Sequence, residues 1–185
     1  MHARYWLPLL SVSLVACATL PATRDTPFLP PGVFGVYEDN DIGALNTASW
    51  AFASAANTSG NPAEAARAVV ALEYLSGELR ENPRWVSMDA AIKLHITQAR
   101  NQLRQILGIP PEVPPQIVVN TLLALALDLQ TGNQPAAMRV LAAPMFTQPP
   151  DRTLQVLSHL PYVQEANLAT SRAEDQSFGH GGAWR

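Results

Sequence analysis

The chain has 185 residues, of which 48% are apolar and 15% are charged, and 12 basic against 15 acidic side chains give a formal net charge of −3. This length and composition fit one globular domain that buries a core without metal or disulfide support, and the single Cys excludes an internal disulfide. The charge is slightly acidic and the basic residues are scattered, so nucleic acid is not an expected partner.

The first segment has the layout of an export signal. Residues 1–4 carry positive charge, and residues 5–16 are apolar apart from two serines. Twelve helical residues span about 18 Å, too short for a hydrocarbon core of about 30 Å, so the segment is not a transmembrane helix. It closes with Leu14-Val15-Ala16-Cys17, which resembles the lipobox of bacterial lipoproteins. The alternative is an unmodified Cys after a generic signal.

The lipobox resemblance implies a processed and lipidated N-terminus. Residues 1–16 would be removed as the signal peptide, and Cys17 would receive a diacylglycerol on its thiol and an acyl chain on its amine. Three acyl chains make a firm anchor without spanning the bilayer. In Gram-negative lipoproteins an Asp after the Cys favours the inner membrane, whereas here Ala18 follows. The resemblance therefore implies the periplasmic face of the outer membrane.

Residues 17–42 are predicted to form the lipidated Cys and a tether. The stretch is rich in residues that favour extended or turn conformations, namely Pro21, Pro27, Pro30, Pro31, Gly32 and Gly35. It also contains five residues that are too apolar for a purely solvated linker: Phe28, Val33, Phe34, Val36 and Tyr37. The segment can therefore be a free tether or can lie against the domain or a partner. Residues 33–37 are also the one candidate strand.

The body, residues 43–176, is predicted to be all-α. An Ala-rich run over residues 44–57 surrounds Trp50, and Pro62 opens a second run to about residue 80. In the second run, apolar residues recur at three- and four-residue steps, a spacing that predicts a helix with one apolar face. The two runs are expected to form an antiparallel hairpin.

A third amphipathic helix follows a break at residues 82–83. Ser87 is the expected N-cap, the apolar stripe runs over residues 88–106, and Gly108 ends the helix. Its outer face is expected to carry polar side chains, including Arg104.

The remaining segments continue the helical pattern. Residues 117–129 are apolar nearly all round, which predicts the central helix. Shorter helices are expected from about 134 to 146, from 150, and from 162 to about 174, with a Pro dividing the last two. Residues 177–185 are Gly-rich and lack periodicity, so they are expected to form a flexible tail.

Two of the predicted turns are related by a weak internal repeat. Gly60-Asn61 and Gly132-Asn133 lie 72 residues apart, about twice the tetratricopeptide period. The same offset relates Ala65 to Ala137, Arg67 to Arg139, Val69 to Leu141 and Ala71 to Ala143. These two units resemble tetratricopeptide hairpins. The predicted fold is therefore all-α, with antiparallel helical hairpins packed as a bundle or as a short tetratricopeptide-like stack.

The sequence contains no motif that identifies a reaction. His95, His159 and His180 are far apart, and no metal-ligand spacing, phosphate-binding loop or nucleophile motif is present. We therefore expect a non-enzymatic protein without metal or cofactor. An enzyme hypothesis requires that His95 or His159 meets an acid within hydrogen-bond reach in a cleft.

Three residues are candidates for partner binding. Trp85 follows a helix break and is predicted to be an exposed anchor, whereas Trp50 is expected to pack between the first two helices, as is Tyr74. Arg67 and Arg139 occupy equivalent positions in the repeat and are predicted to point the same way toward carboxylates of a partner.

The expected function is that of a membrane-anchored periplasmic lipoprotein that scaffolds, assembles or stabilises an envelope complex. In anchor, size and helix content it resembles pilotin-like and outer-membrane assembly lipoproteins. One alternative is a small accessory subunit of a membrane-bound periplasmic dehydrogenase, with residues 18–42 ordered only against its partner. Another is a small-molecule-binding lipoprotein with an apolar pocket along residues 117–129.

Overall fold

A computed structural model describes residues 25–35 and 39–179, and these are predominantly helical with no strand among them. A 3-10 turn spans Pro83–Trp85. Residues 31–35 form turns, so residues 33–35 of the candidate strand 33–37 are not a strand, while residues 36 and 37 lie outside the described residues. The all-α prediction is confirmed. The helices are α1 Asn40–Ala53, α2 Ala55–Thr58, α3 Pro62–Glu81, α4 Ala90–Leu107, α5 Pro115–Gln130, α6 Gln134–Leu141, α7 Pro150–Ser158 and α8 Gln164–Gly179.

Four of the helices form an antiparallel bundle. α1 packs against α3, α3 against α4, α4 against α8, and α8 against α1, which closes a ring. Hydrogen bonds fix the directions: Tyr74 near the end of α3 bonds Asp41 at the start of α1, and the Asp89 N–H just before α4 bonds Gln176 near the end of α8. The antiparallel hairpin expected for the first two runs is thus present.

The central helix is α3, which contradicts the assignment of that place to residues 117–129. α3 contacts α1, α2, α4, α5 and α7, and it is buried along most of its length. Its many alanines let neighbouring helices approach closely from several sides. α5 has larger apolar residues all round but packs mainly against α3 and α6, and its Leu127 is 61% exposed.

α5, α6 and α7 form a second layer outside α3. α5 packs along α3, α6 folds back on α5, and α7 closes against α3, α4 and α6. The two hairpins of the sequence repeat therefore correspond to α1 with α3 and α5 with α6. α4 separates the two hairpins in the chain and packs against α3 and α8, and α6 has eight residues where α3 has 20.

Several helix boundaries differ from the predicted ones. The first run is divided at Ser54, whose extended backbone ends α1 and caps α2. The N-cap of α4 is Asp89 rather than Ser87, because the Asp89 carboxylate accepts the Ala91 N–H at 2.8 Å. α6 ends at Leu141, short of the predicted 146. α8 continues to Gly179, so residues 177–179 are helical, while 180–185 lie outside the described residues.

Arg104 is buried instead of lying on the outer face of α4. Its guanidinium forms a two-point ion pair with Glu73 of α3, with N···O distances of 2.6 and 2.7 Å. The same guanidinium donates to the carbonyl oxygens of Pro111 and Val113. This contact joins α3, α4 and the Pro-rich connection that leads to α5.

Residues 25–29, here called the strap, lie across the bundle. The strap crosses α3 at Gly77, where an added Cβ would stand 2.5 Å from the Asp25 backbone, so the crossing requires a glycine. Leu29 is buried in the core, and Gln116 makes hydrogen bonds of 2.7 and 3.1 Å with the backbone of Phe28. Of the two possibilities for the Pro-rich segment, packing against the domain is therefore the observed one for the strap.

Candidate functional site

A cluster of charged and aromatic side chains closes one end of the four-helix bundle. Asp41 at the start of α1 is buried and accepts three hydrogen bonds, from the Tyr74 hydroxyl at 2.5 Å, the Trp85 indole N–H at 3.0 Å and the Arg84 guanidinium at 3.0 Å. Arg84 also contacts Asp39 at 2.6 Å and lies over the Trp85 ring, 4.9 Å from its centroid. We call these five residues the Asp41 cluster.

The exposure of the two tryptophans is the reverse of the prediction. Trp85 is only 8% exposed, because its indole faces Asp41 and Arg84 covers its ring. Trp50, expected between the first two helices, is 50% exposed. Tyr74 is buried between α1 and α3 as expected. Trp85 therefore holds the end of the bundle together, and in this chain it is not an exposed anchor.

The cluster shifts the pKa values of its members. Burial alone would raise the pKa of Asp39, but hydrogen bonds from Arg84 and from two backbone N–H groups outweigh it and lower that pKa. Hydrogen bonding to Asp39 raises the pKa of Arg84. Burial, reinforced by the hydrogen bond to Asp41, raises the pKa of the Tyr74 hydroxyl. At neutral pH the cluster thus holds a neutral phenol beside ionised Asp39 and Arg84.

A cavity of about 660 Å³ lies between the strap and the last turns of α3. We call it the strap cleft. Thr26, Pro27, Phe28 and Leu29 of the strap form one wall. The other lining residues are Asn40, Tyr74, Glu78, Glu81, Asn82, Pro83 and Gln116. Its size is in the range of small-molecule and side-chain binding sites.

Glu78 is the chemically unusual residue of the strap cleft. It is 7% exposed, and the Asn82 amide donates a short hydrogen bond to its Oε1. Its Oε2 has no hydrogen-bond partner in the part of the chain that the structure describes. Burial raises the pKa of this carboxyl, with the nearby Asp41 adding to the effect. Sequence reasoning missed Glu78, since Glu near the end of a helix carries no signal of burial.

The two repeat-related arginines do not form one site. Arg67 contacts Glu64 at 2.9 Å and donates to the Gln130 side chain at 2.6 Å, so it joins α3 to the end of α5. Arg139 is exposed on α6. Cys17, the predicted lipidation site, lies outside the described residues.

Neither candidate histidine combines an acid with a cleft. His95 of α4 makes a close contact with Glu165 of α8, but both side chains lie partly exposed at the surface between the two helices. His159 lines a cavity of about 450 Å³ whose lining residues include Arg152 but no carboxylate. Within residues 25–35 and 39–179, no group of three or more Cys, His, Asp or Glu is placed to hold a metal ion.

No protein-family model, curated protein or solved structure matches this chain. Among the helices that the structure describes, none is both long and apolar enough to cross a membrane. The site is therefore interpreted from its own residues, the Asp41 cluster and the adjoining strap cleft.

Proposed function

We propose that the protein is a periplasmic lipoprotein, anchored to the membrane through Cys17, whose helical body contacts and stabilises an envelope protein complex. The lipobox Leu14-Val15-Ala16-Cys17 supports the anchor. The outward face of α5 supports the contact with a protein partner, and it is the observation on which the body's role depends.

The outward face of α5 is apolar for a surface helix. Ile117, Ala124 and Leu127 recur on one side of the helix and are exposed, with the uncharged Asn120 between them, and α5 contains a single charged residue, Asp128. We call Ile117, Ala124 and Leu127 the α5 stripe. An exposed apolar stripe of this kind marks protein contact surfaces, and terminal units of stacked hairpins otherwise present polar outer faces.

The strap limits how far the body can lie from its anchor. Eight residue steps separate Cys17 from Asp25, which is held on the domain by Arg80 and Arg100. A fully extended chain covers at most about 3.6 Å per residue, so the reach is at most about 29 Å. Confinement this close to the membrane raises the effective concentration of the body toward membrane partners, so modest contacts suffice.

The inner face of α5 is packed, which bears on the alternative functions. Val118, Val119, Leu122, Leu125 and Ala126 all lie in the core, so this face forms no apolar pocket. The accessory-subunit alternative expects the Pro-rich segment to become ordered only when a partner is bound. Residues 25–29 instead pack against their own domain, so they do not show that feature.

Co-purification from native membranes in a mild detergent tests the proposal. We expect the wild type to retain an envelope protein at a fixed ratio, identified by mass spectrometry, and Cys17→Ser to lose it through loss of confinement. Leu127→Asp should also lose the partner. Leu94→Asp is the matched control, because Leu94 is 56% exposed on α4, away from the α5 stripe.

Two results would contradict the proposal. The first is a wild-type protein that leaves the membrane as a lone chain. The second is a partner that Leu127→Asp retains as fully as Leu94→Asp, which would place the contact away from α5.

A further inference from the structure

Glu78 is a buried carboxylate with no cation in contact in the part of the chain that the structure describes. Among the described residues it bonds the neutral amide of Asn82, and the nearby guanidinium of Arg84 is held by Asp39 and Asp41. Burying an ionised carboxylate without a counter-ion is costly, which explains why burial raises the pKa of Glu78. A cation at Oε2 would remove this cost.

The surroundings of the strap cleft favour a cation. The described residues that line it include Glu78 and Glu81 and no Lys or Arg. Counted over the described residues alone, five carboxylates line or adjoin it, those of Asp25, Asp39, Asp41, Glu78 and Glu81, against the three guanidinium groups of Arg80, Arg84 and Arg100. The cleft also lies at the C-terminal end of α3, where the helix dipole is negative and stabilises positive charge.

The geometry of the acceptors selects the kind of cation. A guanidinium binds best to two coplanar oxygens of one carboxylate, but Asn82 already occupies Oε1 of Glu78. One free carboxylate oxygen suits the compact charge of an ammonium group. Asn40 also lines the cleft, and its Oδ1 is a buried acceptor that has no hydrogen-bond partner among residues 25–35 and 39–179.

The strap supplies the apolar part of the site. Pro27 and Leu29 line the cleft, and Phe28 lies at its rim with 70% of its surface exposed. Methylene groups pack along such a wall while their charged end reaches a polar partner. An aromatic face at the rim attracts the same cation during entry.

We propose that the strap cleft binds an alkylammonium group, with the nitrogen at Oε2 of Glu78 and the methylenes along the strap. The group belongs either to a free amine or to a lysine side chain of a protein partner. The site is independent of the lipid anchor, so a test of ammonium binding and a test of the proposed function can give different outcomes.

Titration of the full-length protein with n-butylammonium chloride in mild detergent tests the site. Binding is measured by calorimetry or by the NMR shifts of the Asn82 side-chain amide. We expect saturable binding that butylguanidinium, butyrate and potassium chloride at equal ionic strength do not reproduce. Glu78→Gln should weaken binding at least about tenfold, since it removes a charged hydrogen-bond partner. Glu112→Gln is the matched control, because Glu112 is exposed in the Pro-rich connection.

A second variant guards against a folding defect in Glu78→Gln. Phe28→Ala leaves the backbone contacts with Gln116 available and should weaken binding about two- to fivefold through loss of the aromatic rim. Equal affinity of the wild type and a folded Glu78→Gln for butylammonium would overturn the proposal, as would a response that potassium chloride reproduces.

A short peptide with one central lysine distinguishes the two sources of the ammonium group. Binding of the peptide at least as tight as that of butylammonium identifies a protein side chain as the natural occupant. Exclusion of the peptide, with butylammonium still bound, identifies a free amine. Failure of both ligands to bind would refute the site.

Discussion

Removal of the Arg104 side chain tests whether the ion pair between α3 and α4 holds the bundle together. In Arg104→Ala, the Glu73 carboxylate stays in the core without a counter-ion, and the Pro111 and Val113 carbonyl oxygens lose their donor. Breaking a buried pair by removing one partner costs about 3–5 kcal/mol. A domain of this kind is stable by about 5–15 kcal/mol in total, so the substitution removes a large fraction.

Urea unfolding of the full-length protein in mild detergent, followed by far-UV circular dichroism, measures this loss. At about 2–4 °C per kcal/mol for a chain of this size, the same loss lowers Tm by about 6–20 °C. Arg104→Lys should recover only part of the stability, because an ammonium cannot reproduce the two-point contact. The double variant Glu73→Leu with Arg104→Met should be more stable than Arg104→Ala, since it leaves no unpaired charge.

Arg152→Ala is the control for removal of an arginine as such. Arg152 is exposed on α7 and, among the described residues, bonds only the Gln155 side chain, so its loss should change the unfolding free energy by about 0.5 kcal/mol or less. If Arg104→Ala were as mild as Arg152→Ala, the buried ion pair would not be a main stabilising contact, and the reasoning would be refuted.

Three further substitutions test the strap and the end of the bundle. Gly77→Val should displace the strap, because the new side chain collides with the strap backbone, and should lower the unfolding free energy by about 1–3 kcal/mol. Limited proteolysis should then cleave the strap, and a strap that stays protected would contradict the close crossing. Trp85→Phe should lower the unfolding free energy by about 1–3 kcal/mol, because Asp41 loses a hydrogen-bond donor, whereas Trp50→Phe should lower it by about 0.5 kcal/mol or less. Equal effects of the two substitutions would argue against a buried Trp85 indole. Glu78→Gln should gain stability relative to the wild type as pH rises from acid to neutral. Because the pKa of Glu78 is raised in the folded state, its protonated carboxyl contributes stability fully below the ordinary carboxyl pKa, and this contribution is lost as pH rises through the raised pKa. A stability difference between the two proteins that does not change with pH would contradict the burial of Glu78.

Local sequence signals were sufficient to predict that these segments are helical, although several helix ends differ from the predicted ones. Pro62 begins α3 and Gly108, with its positive φ of 67°, ends α4, because both residues act through their own backbone restrictions. The apolar stripes likewise gave the helix faces correctly where each helix has one buried side. The choice of the central helix was wrong, because apolar composition does not show which helix has neighbours on every side.

The site could not be predicted, because its contacts join residues distant in sequence. Trp85 is buried by Asp41, 44 positions earlier, and Arg104 by Glu73, 31 positions earlier. A polar residue on a helix has no local feature that shows whether such a partner exists. Two local signs of the strap were present: apolar residues such as Phe28 in the Pro-rich segment, and Gly77, since a glycine inside a long helix often marks a close approach of another segment.

The most direct test of the lipoprotein proposal is the mass of the N-terminal peptide of the protein extracted from membranes. We expect a chain that begins at Cys17, with a diacylglyceryl group on the thiol and an acyl chain on the amine, and a Cys17→Ser variant that lacks both. An unmodified Cys17 in the membrane-extracted wild-type protein would contradict the anchor and, with it, the confinement on which the proposed function depends.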